Sequence, residues 1–231
     1  MTERLALRDR ALAAAAVELF AYDARLAGTA VAVAFDSGVA HLTGEVDDLA
    51  DLDLVRELVG RLDGVFGVWD RVRVAGRAPL ILDLGCGDSP QYPESIGIDR
   101  RPTKTVQVIA DLSGGVPVAT GSVDRVFVVH VLEHLADFLP LVDDCHRILR
   151  PGGVLHVLSP WWRHVNAVAD PTHVRFLDVQ TIKGICRRAP AAPRWYPLHA
   201  ACDGVTVFAD LRPLRPGDPD VDPMRIARFF D

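Results

Sequence analysis

One stretch of the chain, Ile81-Leu82-Asp83-Leu84-Gly85-Cys86-Gly87-Asp88, restricts the fold more than any other. Its apolar run suits a parallel strand buried on both faces. The glycines that end it can take backbone conformations closed to other residues and let a ligand touch the main chain. The stretch therefore predicts the floor of a cofactor site. Further strands are expected at 95–98, ending at Asp99, at 106–110, ending at Asp111, at 124–129, ending at His130, and at 154–159. Strands alternating with helical or loop segments are the rhythm of a parallel α/β sheet, whose ligands bind at the strands' carboxyl ends. A helix over 179–188, an antiparallel edge hairpin of 194–200 and 205–211, and a short helix over 224–230 complete the expected domain, 76–231.

Residues 1–75 read as a separate small α+β module. Leu5, Leu12, Ala16, Leu19 and Phe20 share one helical face. Val31, Val33 and Phe35, then Ala40, Leu42 and Val46, form the arms of a hairpin around Asp36-Ser37-Gly38. Asp48 offers an N-cap to a helix ending at Asp63-Gly64, and Val68, Val72 and Val74 make a third strand. This order, with Gly44 closing the second strand and Gly64-Val65 before the third, resembles a BON domain. The resemblance implies membrane or phospholipid attachment, or sensing, and Arg71, Arg73 and Arg77 are the candidate lipid contacts. An accessory cap or a dimer interface is the alternative role.

Composition excludes several classes. The net charge of -6, with arginines scattered rather than clustered, argues against a nucleic-acid partner. Cys86, Cys145, Cys186 and Cys202 are far apart, with no paired spacing for zinc or for a disulfide framework, which fits a cytoplasmic protein. Glu18 interrupts the apolar run after Arg4, Arg8 and Arg10, so the start reads as a folded helix and not a signal peptide.

A carboxylate at the end of the second strand, Asp99, can accept hydrogen bonds from both hydroxyls of a ribose, and Asp111 can accept from an adenine amine. Leu82-Asp83-Leu84-Gly85-Cys86-Gly87, Gly97-Ile98-Asp99, Ala110-Asp111-Leu112, Val131-Leu132-Glu133-His134 and Leu149-Arg150-Pro151-Gly152-Gly153 follow one another in order. The series resembles the motifs of class I S-adenosylmethionine-dependent methyltransferases. The resemblance implies a Rossmann-like sheet and S-adenosylmethionine as cofactor. By it Asp83, Gly85, Cys86 and Gly87 hold the methionine end, Asp99 with the adjoining Arg100 the ribose, and Asp111 and Leu112 the adenine. His130 then lies beside the sulfonium. The chain departs from the pattern after Gly87, where Ser89-Pro90-Gln91-Tyr92-Pro93 resists the usual helix.

His130-Val131-Leu132-Glu133-His134 also matches HxxEH, an inverted zinc-peptidase pattern that needs both histidines on one helix face. Here they straddle a strand end and a loop, so no metal is expected from it. Trp161, Trp162, Asp170, His173 and Arg175 belong to an expected acceptor-binding segment containing Asp170-Pro171-Thr172-His173-Val174-Arg175-Phe176. Similar DPTHxRF loops recur in short-loop methyltransferases. The competing reading makes Asp170 a helix cap paired locally with Arg175. His134 and His173 are the candidate general bases, and lipid, small-metabolite, sugar and protein acceptors all remain open. Two rival functions are a non-catalytic cofactor-binding protein and a nicotinamide-dependent oxidoreductase. The second is disfavoured because Pro90 stands where GxGxxG needs its third glycine.

Overall fold

Ser37 and Gly38, with φ of 53° and 82°, make the two-residue turn between β1 (Ala30–Asp36) and β2 (Val39–Val46). Consecutive positive φ values match the right-handed twist of an antiparallel pair, so the local sequence fixes the register. The carboxylate of Asp9, on α1 (Thr2–Tyr22), accepts the amides of both turn residues at 2.8 Å. In this computed structural model, residues 2–189 and 191–230 are described, and the chain forms two compact units, Met1–Pro79 and Leu80–Asp231.

In the first unit Asp48 caps α2 (Leu49–Val59) through the Asp51 amide at 3.0 Å. The helix stops at Val59, and turns carry the chain on to Gly64. The third strand is interrupted. Its two pieces, β3 (Gly67–Asp70) and β4 (Arg73–Val74), both pair parallel with β2, and between them the Arg71 amide bonds the Leu42 carbonyl at 2.9 Å. Leu12, Leu42, Leu52, Val55, Val59 and Val68 pack in one core. Beside that core the Arg56 guanidinium donates to Asp70 at 2.7 and 3.0 Å and to Asp53 at 2.9 Å.

The second unit is built on β5 (Ile81–Leu84), β6 (Ile96–Asp99), β7 (Val106–Ile109), β8 (Val123–Val129), β9 (Leu149–Pro160), β10 (Arg194–Cys202) and β11 (Thr206–Leu214). Its helices are α3 (Leu139–Ile148), α4 (Val165–Ala169), α5 (Val179–Cys186) and α6 (Pro223–Phe230). The sheet order is β10-β11-β9-β8-β5-β6-β7, with β5 to β9 parallel and β11 antiparallel to both neighbours. This is the Rossmann-like, mostly parallel sheet with an antiparallel edge hairpin that the sequence predicts. The order turns back at β5 and β8, whose carboxyl ends open the crevice in which such sheets bind ligands. β9 starts earlier than expected, because Arg150-Pro151-Gly152-Gly153 lies within it and shifts the register against β8.

The two faces of this sheet differ in chemistry. Leu82, Leu84, Val126, Val128, Leu155 and Val157 pack with Leu141, Val142, Cys145 and Ile148 of α3. The alternate residues form a lateral row, Asp83, Phe127, His156 and Asp210, each opposite the next on adjacent strands. Phe127 stacks on the His156 ring at 4.5 Å, and His156 Nδ1 lies 2.7 Å from Asp210.

Replacing one member of a buried ion pair strands its partner charge away from water. Arg56→Ala is expected to lower the stability of the full chain by about 3–5 kcal/mol in denaturant titration. Arg61→Ala, which breaks the exposed pair with Glu57, is expected to cost less than about 1 kcal/mol.

Candidate active site

The glycine loop leaves β5 with Gly85 at φ 69°, its amide bonded to the Ile98 carbonyl at 2.7 Å. A Cβ on Gly85 would lie 2.5 Å from Val131 Cγ2, so this position excludes side chains on both conformational and steric grounds. Gly87 donates its amide to Asp99 Oδ2 at 3.0 Å, and its carbonyl accepts the hydroxyls of Thr103 at 2.6 Å and Thr105 at 2.7 Å. The connection from Gly85 to Ser95 contains no helix, as the prolines predict. These hydrogen bonds hold the loop where a helix would otherwise anchor it.

A cavity of about 470 Å³ lies over these strand ends. Gly85, Asp99, Arg100, Asp111, Leu112 and His130 line it, and so do His134, Asp170 and Thr172. Expected cofactor residues and expected acceptor residues thus share one cavity, of ordinary size for a small-molecule site.

Its carboxylates are held ionised. Burial pushes the Asp99 carboxyl up, but the amides of Arg101 and Gly87 and the Arg101 guanidinium outweigh it and leave the group below its usual range. The Ser113 amide and hydroxyl lower Asp111, with a smaller contribution from Arg100. The Thr172 hydroxyl and amide lower Asp170, helped by His173 and His134.

Three histidines carry fixed orientations. His130 has φ of 55°, a strained value for a non-glycine residue, and its Nδ1 lies 3.1 Å from Glu133 Oε1. Glu133 is 1% exposed, and its Oε2 accepts the Ser159 hydroxyl at 2.9 Å. His134 Nδ1 lies 3.0 Å from Thr172 Oγ1 and 3.3 Å from the Thr172 carbonyl. His173 Nδ1 lies 3.1 Å from the Ala167 carbonyl. The His134 and His173 rings meet edge to face at 4.7 Å. The amides of Val174 and Arg175 both bond the Glu133 carbonyl, at 2.8 and 3.1 Å, which clamps the Asp170–Phe176 loop onto the Leu132–His134 turn.

Several expected site residues fall outside the cavity lining. Asp83 points to the polar face of the sheet, where it accepts the Gln91 amide at 2.6 Å and shapes the proline loop. Cys86 is buried, and Gly87 stands outside the lining, its amide bonded to Asp99. Trp161 and Trp162 both donate their indole N–H to Asp178, at 2.8 and 3.1 Å. Arg175 donates to the Ala136 carbonyl, and His173 sits behind the lining. Local capping by Asp170 is also corrected: Asp178 caps α5, while Asp170 closes its own turn on Thr172. HxxEH lies on a strand end and one short 3-10 turn, without the helix face it needs.

Sequence reasoning missed Arg101, Val131, Leu135 and Thr172 in the lining, and the roles of Glu133 and Ser159. Thr172 and Glu133 lay inside quoted motifs. Ser159 became legible only once β8 and β9 were paired.

Comparison with known proteins finds matches in both units. Residues 82–157 match the family model of a methyltransferase domain, and residues 8–76 match that of the BON domain. The chain is 35% identical over 104 residues to a protein of Mycolicibacterium smegmatis described as "Probable S-adenosylmethionine-dependent methyltransferase"; the match covers 38% of this chain and 40% of that protein. The chain therefore spans well under half the length of the curated relative it matches. A methyltransferase structure from Archaeoglobus fulgidus is 22% identical with a TM-score of 0.37, covering 46% of this chain and 57% of that one. The geranyl diphosphate C-methyltransferase of Streptomyces coelicolor is 11% identical with a TM-score of 0.45, covering 59% and 72%. The two matches fall one in each compact unit, the BON match in the first and the methyltransferase match in the second.

Burial raises the Asp83 carboxyl from 3.8 to about 6, with the Gln91 amide opposing. The folded state therefore favours the protonated form. The contribution of this group to stability is complete below about pH 3.8 and is lost as pH rises through about 6. Asp83→Asn is expected to raise the unfolding free energy at about pH 7.5, by an amount on the order of 1–3 kcal/mol in denaturant titration, and to have little effect near pH 4.

Proposed function

We propose that this chain transfers a methyl group from S-adenosylmethionine to a small-molecule or lipid acceptor. The observation that carries the reading is the single cavity uniting Gly85, Asp99 and Asp111 with His130, His134, Asp170 and Thr172. The residues fit the cofactor. Gly85 leaves no side chain between the main chain and a ligand, Asp99 presents an ionised carboxylate suited to ribose hydroxyls, and Asp111 with Leu112 suits the adenine. Several carboxylates around one cavity also favour a cationic sulfonium.

When bound, the cofactor supplies an activated methyl carbon, so the protein's work is orientation and the removal of a proton. Glu133 holds His130 in the tautomer with N–H on Nδ1, which leaves the Nε2 lone pair available. A hydroxyl or amine acceptor gives its proton to that nitrogen. His134, with His173 behind it, stands on the acceptor side beside Asp170 and Thr172. Four free cysteines fit action in a reducing cytoplasm. Among the described residues no helix is long and apolar enough to cross a membrane. A lipid acceptor would be reached peripherally, through the BON module. Its arginines are mainly in local use there: Arg73 bonds the Gly76 carbonyl and pairs with Glu45, and Arg77 bonds the Ala78 carbonyl.

Calorimetry tests the cofactor half of this reading. S-adenosylhomocysteine should bind one to one, and Asp99→Ala should weaken it at least about tenfold through lost hydrogen bonds to a charged group. Nicotinamide dinucleotide binding in its place would contradict the reading. Turnover of S-adenosylmethionine in acceptor screens separates an enzyme from a cofactor-binding protein. With an active acceptor, Glu133→Gln should lower kcat and displace the acidic limb of the pH profile, while KM for the cofactor changes little.

A further inference from the structure

The linear HxxEH pattern does not make a metal site here, but the fold assembles a different one from two segments. Carboxylate or imidazole ligand atoms of Glu133, His134 and His173 lie within 4.8 Å of one another. His134 comes from the turn after β8, and His173 from the loop clamped onto that turn by the Val174 and Arg175 amides. We propose that Glu133, His134 and His173 bind a divalent transition-metal ion of the zinc class.

The tautomers carry the argument. Nδ1 of His134 faces the Thr172 carbonyl and hydroxyl, and Nδ1 of His173 faces the Ala167 carbonyl. A carbonyl can only accept, so N–H sits on Nδ1 in both rings and the Nε2 lone pairs are presented outward. Metal-binding histidines are oriented in this way, each donating its second ring nitrogen to a backbone carbonyl or carboxylate. Nε2 is then the nitrogen with the lone pair in each ring, and ligand atoms of both rings and of Glu133 lie close enough together for one cation to draw on all three.

Charge and donor type agree. Glu133 keeps a second lone pair on each oxygen after bonding His130 and Ser159. Asp170 Oδ2 stands 3.8 Å from His173 Nε2 and adds negative charge beside the cluster. Two histidines with one carboxylate suit zinc or cobalt over the harder magnesium and calcium. Atoms bound to one ion at about 2.1 Å stand no more than about 4.2 Å apart, so the set draws in by up to about 0.6 Å when the ion binds.

His134 and Asp170 also line the cavity described above, which places the ion on its acceptor side. If the methyltransfer reading holds, the ion orients an acceptor through an oxygen donor, and the acceptor class narrows to hydroxyl- or oxyanion-bearing molecules. The two histidines first considered as general bases then serve as ligands, and proton removal falls to His130.

The test is titration of the chelator-stripped full-length chain with Co²⁺ alone, followed by visible absorption, and with Zn²⁺ by calorimetry. One ion per chain with a d–d absorption band is expected. His173→Gln and His134→Gln should each weaken binding at least tenfold, and Cys202→Ser should leave it unchanged. Circular dichroism and melting temperature verify that each variant is folded. Absence of stoichiometric binding, or unchanged affinity in both histidine variants, would overturn the proposal. Binding of S-adenosylhomocysteine by the wild-type chain is measured separately. Metal uptake without it would remove the methyltransfer reading and leave the metal site standing, and the converse would do the reverse.

Discussion

The carboxylate of Asp99 sets the geometry on which the rest of the site depends. A parallel crossover with no helix has nothing rigid to hold its glycine loop, and residues 85–95 form such a crossover. Asp99 Oδ2 takes the Gly87 amide, Oδ1 takes the Arg101 amide, and two threonine hydroxyls close on the Gly87 carbonyl. One ionised side chain therefore ties the ends of two strands together and still lines the cavity. Its depressed pKa follows from those bonds, so the group that fixes the loop is also charged and ready to bind hydroxyl donors.

A second tie works at the other side of the cavity. Glu133 is buried between Ser159 and His130 through its side chain and receives the Val174 and Arg175 amides on its carbonyl. Strand ends β8 and β9 and the Asp170–Phe176 loop are thereby coupled through one residue. The strained backbone of His130 is held by this arrangement, since a non-glycine residue keeps a positive φ only where its surroundings demand it.

What could be read from the sequence was what short-range physics determines. Ser37-Gly38 specified a tight turn, Asp48 a helix cap, Pro90 and Pro93 the missing helix, and the apolar runs the parallel strands. The resemblance in motifs singled out Asp99, Asp111, His130 and Asp170, and all four line one cavity. What stayed hidden depends on which face of a strand a side chain takes and on partners far away in the chain. Asp83 lies one residue from Leu84 yet points to the opposite face, beside Phe127. Trp161 and Trp162 looked like acceptor contacts because they are aromatic, but Asp178, the α5 cap, engages both. The meeting of His134 with His173, 39 positions apart in number, required the loop clamp on Glu133.

The proposed function requires one cavity to take the cofactor at Asp99 and Asp111 and the acceptor at the Asp170–Thr172 loop. A crystal structure of the full chain with S-adenosylhomocysteine tests it most directly. The account predicts the adenosine between Asp99 and Asp111, with the sulfur directed toward His130 and open space left beside His134 and Asp170. A ligand bound elsewhere, or one whose sulfur faces away from His130, would contradict it.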